Sequence, residues 1–197
     1  MELPDTIRII LEVARAMEAL QVNYFVGGSI ASSIHGFPRS TQDADLVADL
    51  RPEHVRPLVA ALEEHFYIDS ERVMDAVRRR ASFNAIHFEE GLKVDVFVLK
   101  GDPFSRQGMA RRFPIAPLED PDDTIPVASP EDVVLQKLQW YRQGNETSSQ
   151  QWNDILGVLK VQRQDLDFRY LQEWAETIEV EDLLRKAFED SGIAPPC

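Results

Sequence analysis

Apolar residues recur at helical spacing near the start of the chain, at Ile7, Ile10, Leu11, Ala14, Met17 and Leu20, and this predicts a helix from about Asp5 to Leu20 capped by Asp5. The pattern then shortens. Strands are expected over residues 23–26 and 43–49, with a short helix over 29–35 opened by glycines. Pro52 starts a helix that runs to Phe66, with Val55, Leu58, Val59 and Leu62 on one face. After a further helix near residues 71–80, two strands over 83–88 and 93–99 flank the turn Glu89 Glu90 Gly91 and form an antiparallel hairpin.

Six of the twelve prolines lie between Pro103 and Pro130, which predicts a loop-rich connector holding one short edge strand and a domain boundary near residue 128. Helical periodicity takes over beyond it, with helices expected over 131–143, 149–161, 168–177 and 181–191. The fold class is therefore α/β (α+β). A mixed sheet flanked by helices is expected over residues 1–128, followed by a C-terminal helical subdomain over 129–197.

Composition narrows the chemistry. With 197 residues, 44% of them hydrophobic, the chain can bury a core, and no window approaches the roughly 18–20 apolar residues of a membrane span. The start Met1 Glu2 Leu3 Pro4 Asp5 lacks the basic region of a signal peptide, so a cytoplasmic protein with no membrane partner is expected. Cys197 is the only cysteine, which removes disulfides and thiolate clusters and leaves oxygens or imidazoles to hold any metal. A formal charge of −13 disfavours broad binding to nucleic acid. The clusters Arg78 Arg79 Arg80 and Arg111 Arg112 could face a triphosphate or an RNA acceptor, against the plainer reading of solvated charge.

Ser29, in the turn Gly27 Gly28 Ser29, stands fourteen positions before Asp43 in Asp43 Ala44 Asp45. Strand alternation puts Asp43, Asp45 and Val47 on one face and Ala44, Leu46 and Ala48 on the other, and Arg39 and Thr41 share the first parity if the strand extends backward. Two carboxylates about 6–7 Å apart along a strand repel unless a cation lies between them. In the strand Lys93 to Leu99, Lys93, Asp95 and Phe97 share a face. A buried Asp95 would be costly without a metal, or Lys93 itself, to balance it. Three acids on adjacent strands are what a two-metal phosphoryl-transfer site requires. The glycines allow close approach to a triphosphate, the Ser29 hydroxyl can donate to a phosphate oxygen, and the following helix presents free amides.

Asp-x-Asp alone carries little weight in so acidic a chain, because Asp165 Leu166 Asp167 also fits and is better read as a helix cap. Neither a G-x-G-x-x-G loop nor a Gly-Lys-Ser/Thr loop is present. His35 is expected to cap the end of its short helix, and His54, His65 and His87 form no metal spacing. Trp140, Tyr141, Trp152 and Trp174 are expected to pack as an aromatic core.

Residues 24–47 resemble the signature of the nucleotidyltransferase superfamily of the polymerase-beta type. The set Gly27 Gly28 Ser29, Arg39, Thr41, Asp43 and Asp45 is most similar to the abortive-infection (AbiEii-like) and minimal nucleotidyltransferase branches. The segments Ser129 to Leu138 and Gln151 to Ile155 resemble the Lys … Arg-Asp motif of those branches, with Asn153 standing where arginine is frequent. The resemblance implies a nucleotidyltransferase-like catalytic domain with Asp43, Asp45 and Asp95 as catalytic metal ligands for Mg²⁺ or Mn²⁺. It further implies that Gly27, Gly28, Ser29, Arg39, Thr41, Lys137 and Asp154 serve the nucleotide. The expected reaction moves a nucleoside monophosphate from an NTP, ATP foremost, to an acceptor hydroxyl on a protein, a tRNA or a small molecule. The alternative is a non-catalytic nucleotide-binding or toxin–antitoxin interaction protein on the same fold, with a cognate partner protein.

Overall fold

The computed structural model describes residues 3–41, 43–116 and 124–194. In chain order the elements are α1 (Leu3–Ala19), β1 (Tyr24–Val26), α2 (Gly28–His35), β2 (Asp43–Ala48), α3 (Pro52–Leu62), β3 (Phe66–Tyr67), α4 (Ser70–Arg79) and β4 (Ser82–His87). They continue with β5 (Lys93–Val98), α5 (Pro103–Arg111), β6 (Phe113–Ile115), β7 (Ile125–Val127), α6 (Pro130–Gln143), α7 (Ser149–Gln162), α8 (Phe168–Thr177) and α9 (Glu181–Ser191). Helix α1 begins two residues before Asp5, its expected cap, whose side chain lies outside the described residues, as do Pro117, Pro121 and Cys197.

The chain divides into two compact units, one formed by Met1–Gly27 with Ser40–Val127 and the other by Gly28–Arg39 with Ala128–Cys197. The first unit carries a mixed seven-stranded sheet in the order β3-β4-β5-β2-β1-β7-β6. Strand β2 is parallel to β5 and antiparallel to β1, β4 is antiparallel to β5, and β1 is parallel to β7. Alternation in β2 and β5 follows the expected parity. Ala44, Leu46, Ala48, Val94, Val96 and Val98 are buried, while Asp43, Asp45, Val47, Lys93, Asp95 and Phe97 are half-buried. Each fully buried aliphatic or aromatic side chain contributes about 1.5–3 kcal/mol, so the apolar parity pins the register and with it the face on which the acids stand.

Two sequence expectations change here. Helix α3 stops at Leu62 rather than Phe66, because Phe66 and Tyr67 pair with His87 and Ile86 as the edge strand β3. Phe66 lies four residues after Leu62 and so continues the helical series, which is why periodicity could not separate the two. The proline-rich connector contains a helix, α5, and two strands. Asp102 caps α5 by accepting from the Ser105 amide at 2.8 Å, and Pro103 occupies the first turn, where its missing N–H costs nothing. Of the two strands only β6 is an edge, since β7 lies between β1 and β6.

The second unit is helical. Helices α6 and α7 pack together, α2 packs on both, and α8 and α9 complete the cluster around Val134, Leu138, Ile155, Val158, Leu171 and Leu184. Ser129 caps α6 by accepting from the Asp132 amide at 3.1 Å, and the fully buried Asp132 accepts from the Tyr170 hydroxyl at 2.7 Å. These contacts set the axial position of α6. Helix α2 runs into Gly36, where a Cβ would stand 2.8 Å from the Val158 nitrogen and 2.9 Å from the Gly157 carbonyl carbon, so only glycine lets α2 end this close to α7.

Candidate functional site

In the sheet unit, β-pairing sets Asp45 directly opposite Asp95 and Asp43 opposite Lys93. On the far side of β5, Asn84 lies opposite Asp95 and Ile86 opposite Lys93. Cross-strand partners project to the same face, so one row reads Asn84, Asp95, Asp45 and the next Ile86, Lys93, Asp43. The Thr41 hydroxyl donates to Asp43 Oδ1 at 2.7 Å and orients that carboxylate. The Gly27 amide donates to the Asp45 carbonyl at 2.8 Å, which ties the start of the glycine turn to the acid-bearing strand.

Lys93 Nζ is 2.7 Å from Asp95 Oδ2. The hydrogen bond to Asp95 raises the Lys93 ammonium above the ordinary lysine range despite partial burial, and the charges of Asp95, Asp43 and Asp45 add to the pull. Sequence parity had put Lys93 on the acid face, and the structure makes it the partner of Asp95. Among the described residues no three Asp, Glu, His or Cys side chains are already gathered as a metal cage. The donor set nevertheless suits Mg²⁺ or Mn²⁺, because hard carboxylate oxygens stand half-buried on adjacent strands of one face. Asp43 and Asp45 would hold such an ion directly, and Asp95 would join them after parting from Lys93.

In the helical unit, Gly28 has φ +53°, a left-handed conformation that favours glycine, and it opens α2. Arg39 Nη2 donates to Ser29 Oγ at 2.7 Å, so the Ser29 hydroxyl retains its own proton to offer elsewhere. Arg39 also grips Asp154 with two hydrogen bonds, Nε to Oδ1 and Nη2 to Oδ2, both at 2.9 Å. Lys137 Nζ donates to Asp154 Oδ2 at 2.9 Å and to Gln151 Oε1 at 3.2 Å. Burial opposes the charge on Asp154, but the hydrogen bonds from Arg39 and Lys137, and then their charges, outweigh it and hold the carboxyl below the ordinary range.

The structure thus brings Gly27, Thr41, Asp43, Asp45 and Asp95 together in one unit and Gly28, Ser29, Arg39, Lys137 and Asp154 in the other. Lys137 is no exposed helix lysine, being 2% exposed. His35, expected as a helix cap, is buried and bonds the Ala128 carbonyl through Nε2 at 2.8 Å, while its own carbonyl accepts from Gln162. Asp167 does cap α8, by accepting from the Tyr170 amide at 3.0 Å. Several of the clustered arginines serve local structure. Arg79 pairs with Asp75, Arg80 donates to the Leu99 carbonyl, and Arg112 donates to Asn23. Tyr141 and Trp152 pack with ring centroids 5.0 Å apart.

No protein-family model and no curated protein matches the chain. Solved structures do. An antigenic nucleotidyltransferase-like protein from Paracoccidioides brasiliensis superposes with a TM-score of 0.55 at 16% identity, covering 94% of this chain and 93% of that one. The antibiotic-resistance factor ANT(2'')-Ia, in complex with adenylyl-2''-tobramycin, gives a TM-score of 0.52 at 15% identity over 94% and 98% of the two chains. The fold is the nucleotidyltransferase-like fold. Among the described residues no helix is long and apolar enough to cross a membrane.

Proposed function

We propose that this protein is a divalent-metal-dependent nucleotidyltransferase, with residues 1–128 as its catalytic domain and 129–197 as a helical subdomain. The observation that carries the reading is the pairing of Asp45 with Asp95 on neighbouring parallel strands, with Asp43 on the same face and Thr41 bonded to it. Asp43, Asp45 and Asp95 would hold Mg²⁺ or Mn²⁺. Once bound, the metal neutralises charge on the triphosphate and the leaving pyrophosphate. The acceptor hydroxyl oxygen attacks the α-phosphorus of an NTP, ATP foremost, the bond from that phosphorus to the bridging oxygen breaks, and pyrophosphate leaves. Asp95 takes the proton from the acceptor hydroxyl.

The triphosphate contacts fall to Gly27, Gly28 and the Ser29 hydroxyl, one of whose two lone pairs Arg39 already occupies. Arg39, Lys137 and Asp154 act as one hydrogen-bonded unit that positions Ser29 and supplies net positive charge. The acceptor hydroxyl would be that of a protein, a tRNA or a small molecule in the cytoplasm, whereas a toxin–antitoxin interaction protein with a cognate partner belongs to the alternative without turnover.

A second reading is a nucleotide-binding protein without turnover. The observation in its favour is that Lys93, Arg39 and Lys137 all have carboxylate partners within the protein. Incubation with each α-labelled NTP, Mg²⁺ or Mn²⁺ and cell lysate separates the two. Transfer of label that Asp43→Asn and Asp45→Asn abolish supports the enzyme, and label transfer unchanged in both variants would sink it. Metal-dependent nucleotide binding in calorimetry with no pyrophosphate release against any acceptor pool supports the binding protein.

A further inference from the structure

Lys93 and Asp95 lie two residues apart on β5 and share its polar face, where Lys93 is the register partner of Asp43 and Asp95 that of Asp45. Neighbouring strands run about 4.8 Å apart, so three carboxylates and one ammonium occupy two adjacent positions on each of two strands. The Lys93 ammonium bonds Asp95 Oδ2 at 2.7 Å, with side-chain exposures of 43% and 21%. A partly exposed lysine on a flexible four-carbon stem can leave such a pair without breaking the core.

The geometry points to Lys93 as an internal cation that holds the third carboxylate of the acid cluster and must be displaced from Asp95 before a divalent ion can use that carboxylate. This inference rests on the metal-dependent reading above. The ammonium and the divalent ion compete for the same oxygens. Lys93 therefore lowers repulsion among Asp43, Asp45 and Asp95 in the metal-free protein and weakens metal affinity. It also makes metal uptake and release of the lysine a single coupled event.

The test is calorimetric titration of the full chain with Mn²⁺ alone at low ionic strength, in wild type, Lys93→Met and Lys93→Arg. Removing one positive charge a few ångströms from the ion is expected to tighten Mn²⁺ binding about tenfold or more in Lys93→Met, while Lys93→Arg stays near wild type. Unchanged or weaker binding by Lys93→Met overturns the inference. A second measurement needs no substitution. Acylation of surface amines, read by mass spectrometry, should label Lys93 faster when Mn²⁺ is present, and an unchanged or slower rate overturns the inference. Mn²⁺ binding by wild type that Asp43→Asn abolishes, with no gain in Lys93→Met, refutes displacement and leaves the metal-dependent reading standing. Failure of Mn²⁺ to bind any of the three proteins refutes both.

Discussion

Lys137 Nζ and Asp154 Oδ2 lie 2.9 Å apart with side-chain exposures of 2% and 7%, so this ion pair is almost wholly removed from water. It is not an isolated pair, because the same carboxylate binds Arg39, and Arg39 in turn binds Ser29. A nearly buried lysine on α6 is therefore connected, through one aspartate on α7, to the first turn of α2.

Removing both members of this ion pair should cost less than the two single losses added together. Asp154→Asn leaves the Lys137 charge buried without its counter-charge, and breaking a buried pair in that way costs about 3–5 kcal/mol. Lys137→Met leaves Asp154 still bound by Arg39 and is expected to cost less. The double variant should be more stable than the sum of the two losses implies, by at least about 1 kcal/mol of coupling. Urea unfolding of the four proteins measures the cycle, and additive losses would show that the pair contributes no coupling.

Thr41 offers a milder perturbation of the acid face. Its hydroxyl bonds Asp43 Oδ1 at 2.7 Å and the Asp43 carbonyl at 3.0 Å, fixing the carboxylate without itself being an acid. Loss of a residue that orients a metal ligand typically costs about 10–100-fold in metal affinity. Thr41→Val should weaken Mn²⁺-dependent nucleotide binding in that range with little change in the unfolding midpoint, and Thr41→Ser should restore it.

Which parts of the molecule were legible in sequence follows from which interactions are local. The faces of β2 and β5 could be read because alternation depends only on neighbours along the strand, and burial of Ala44, Leu46, Val94 and Val96 then fixes Asp43, Asp45 and Asp95 on the opposite side. The cap of α8 at Asp167 is local in the same sense. Strand β3 was missed because its pairing with His87 and Ile86 is a tertiary event that overrode a helical spacing. Helix α5 was hidden because Pro103 reads as a breaker until its place in a first turn is known. The bond between Arg39 and Asp154 spans 115 residues and leaves no periodic trace. Likewise, nothing in the order of residues shows that α2 belongs with the helices that follow residue 128.

Gly36 provides a packing test within the helical unit. Its added Cβ would meet backbone atoms at 2.8–2.9 Å, and backbone cannot step aside as a flexible side chain does. Gly36→Ala should therefore destabilise the protein by roughly 1–3 kcal/mol through displacement of α2 from α7. Gly91→Asn is the contrasting case. Gly91 has φ +64° with open space around the site, so asparagine, which tolerates that conformation, should cost well under ~1 kcal/mol there. Equal losses at the two positions in chemical denaturation would contradict the close approach.

His35 sets a pH dependence whose sign follows from its burial. Removal from water lowers its pKa below the ordinary value of 6.5, and the hydrogen bond to the Ala128 carbonyl and the charge of Glu131 offset this only in part. Between the depressed folded value and 6.5 the unfolded chain binds a proton that the folded protein refuses, so stability rises with pH across that window. The contribution is complete above about pH 7.5, fades as pH falls through 6.5, and levels off below the folded value, at about 1.4 kcal/mol for each unit of separation. His65 acts in the opposite sense, because its hydrogen bond to Glu12 raises its pKa and favours the folded state until pH rises through that higher value. A wild-type curve alone therefore mixes two signs. Subtracting the curve of His35→Gln, whose amide can still donate to Ala128, isolates the buried histidine. Thermal midpoints taken from pH 5 to pH 8 should fall more steeply toward acid in wild type than in His35→Gln. Parallel curves would mean that His35 takes up its proton without leaving the fold.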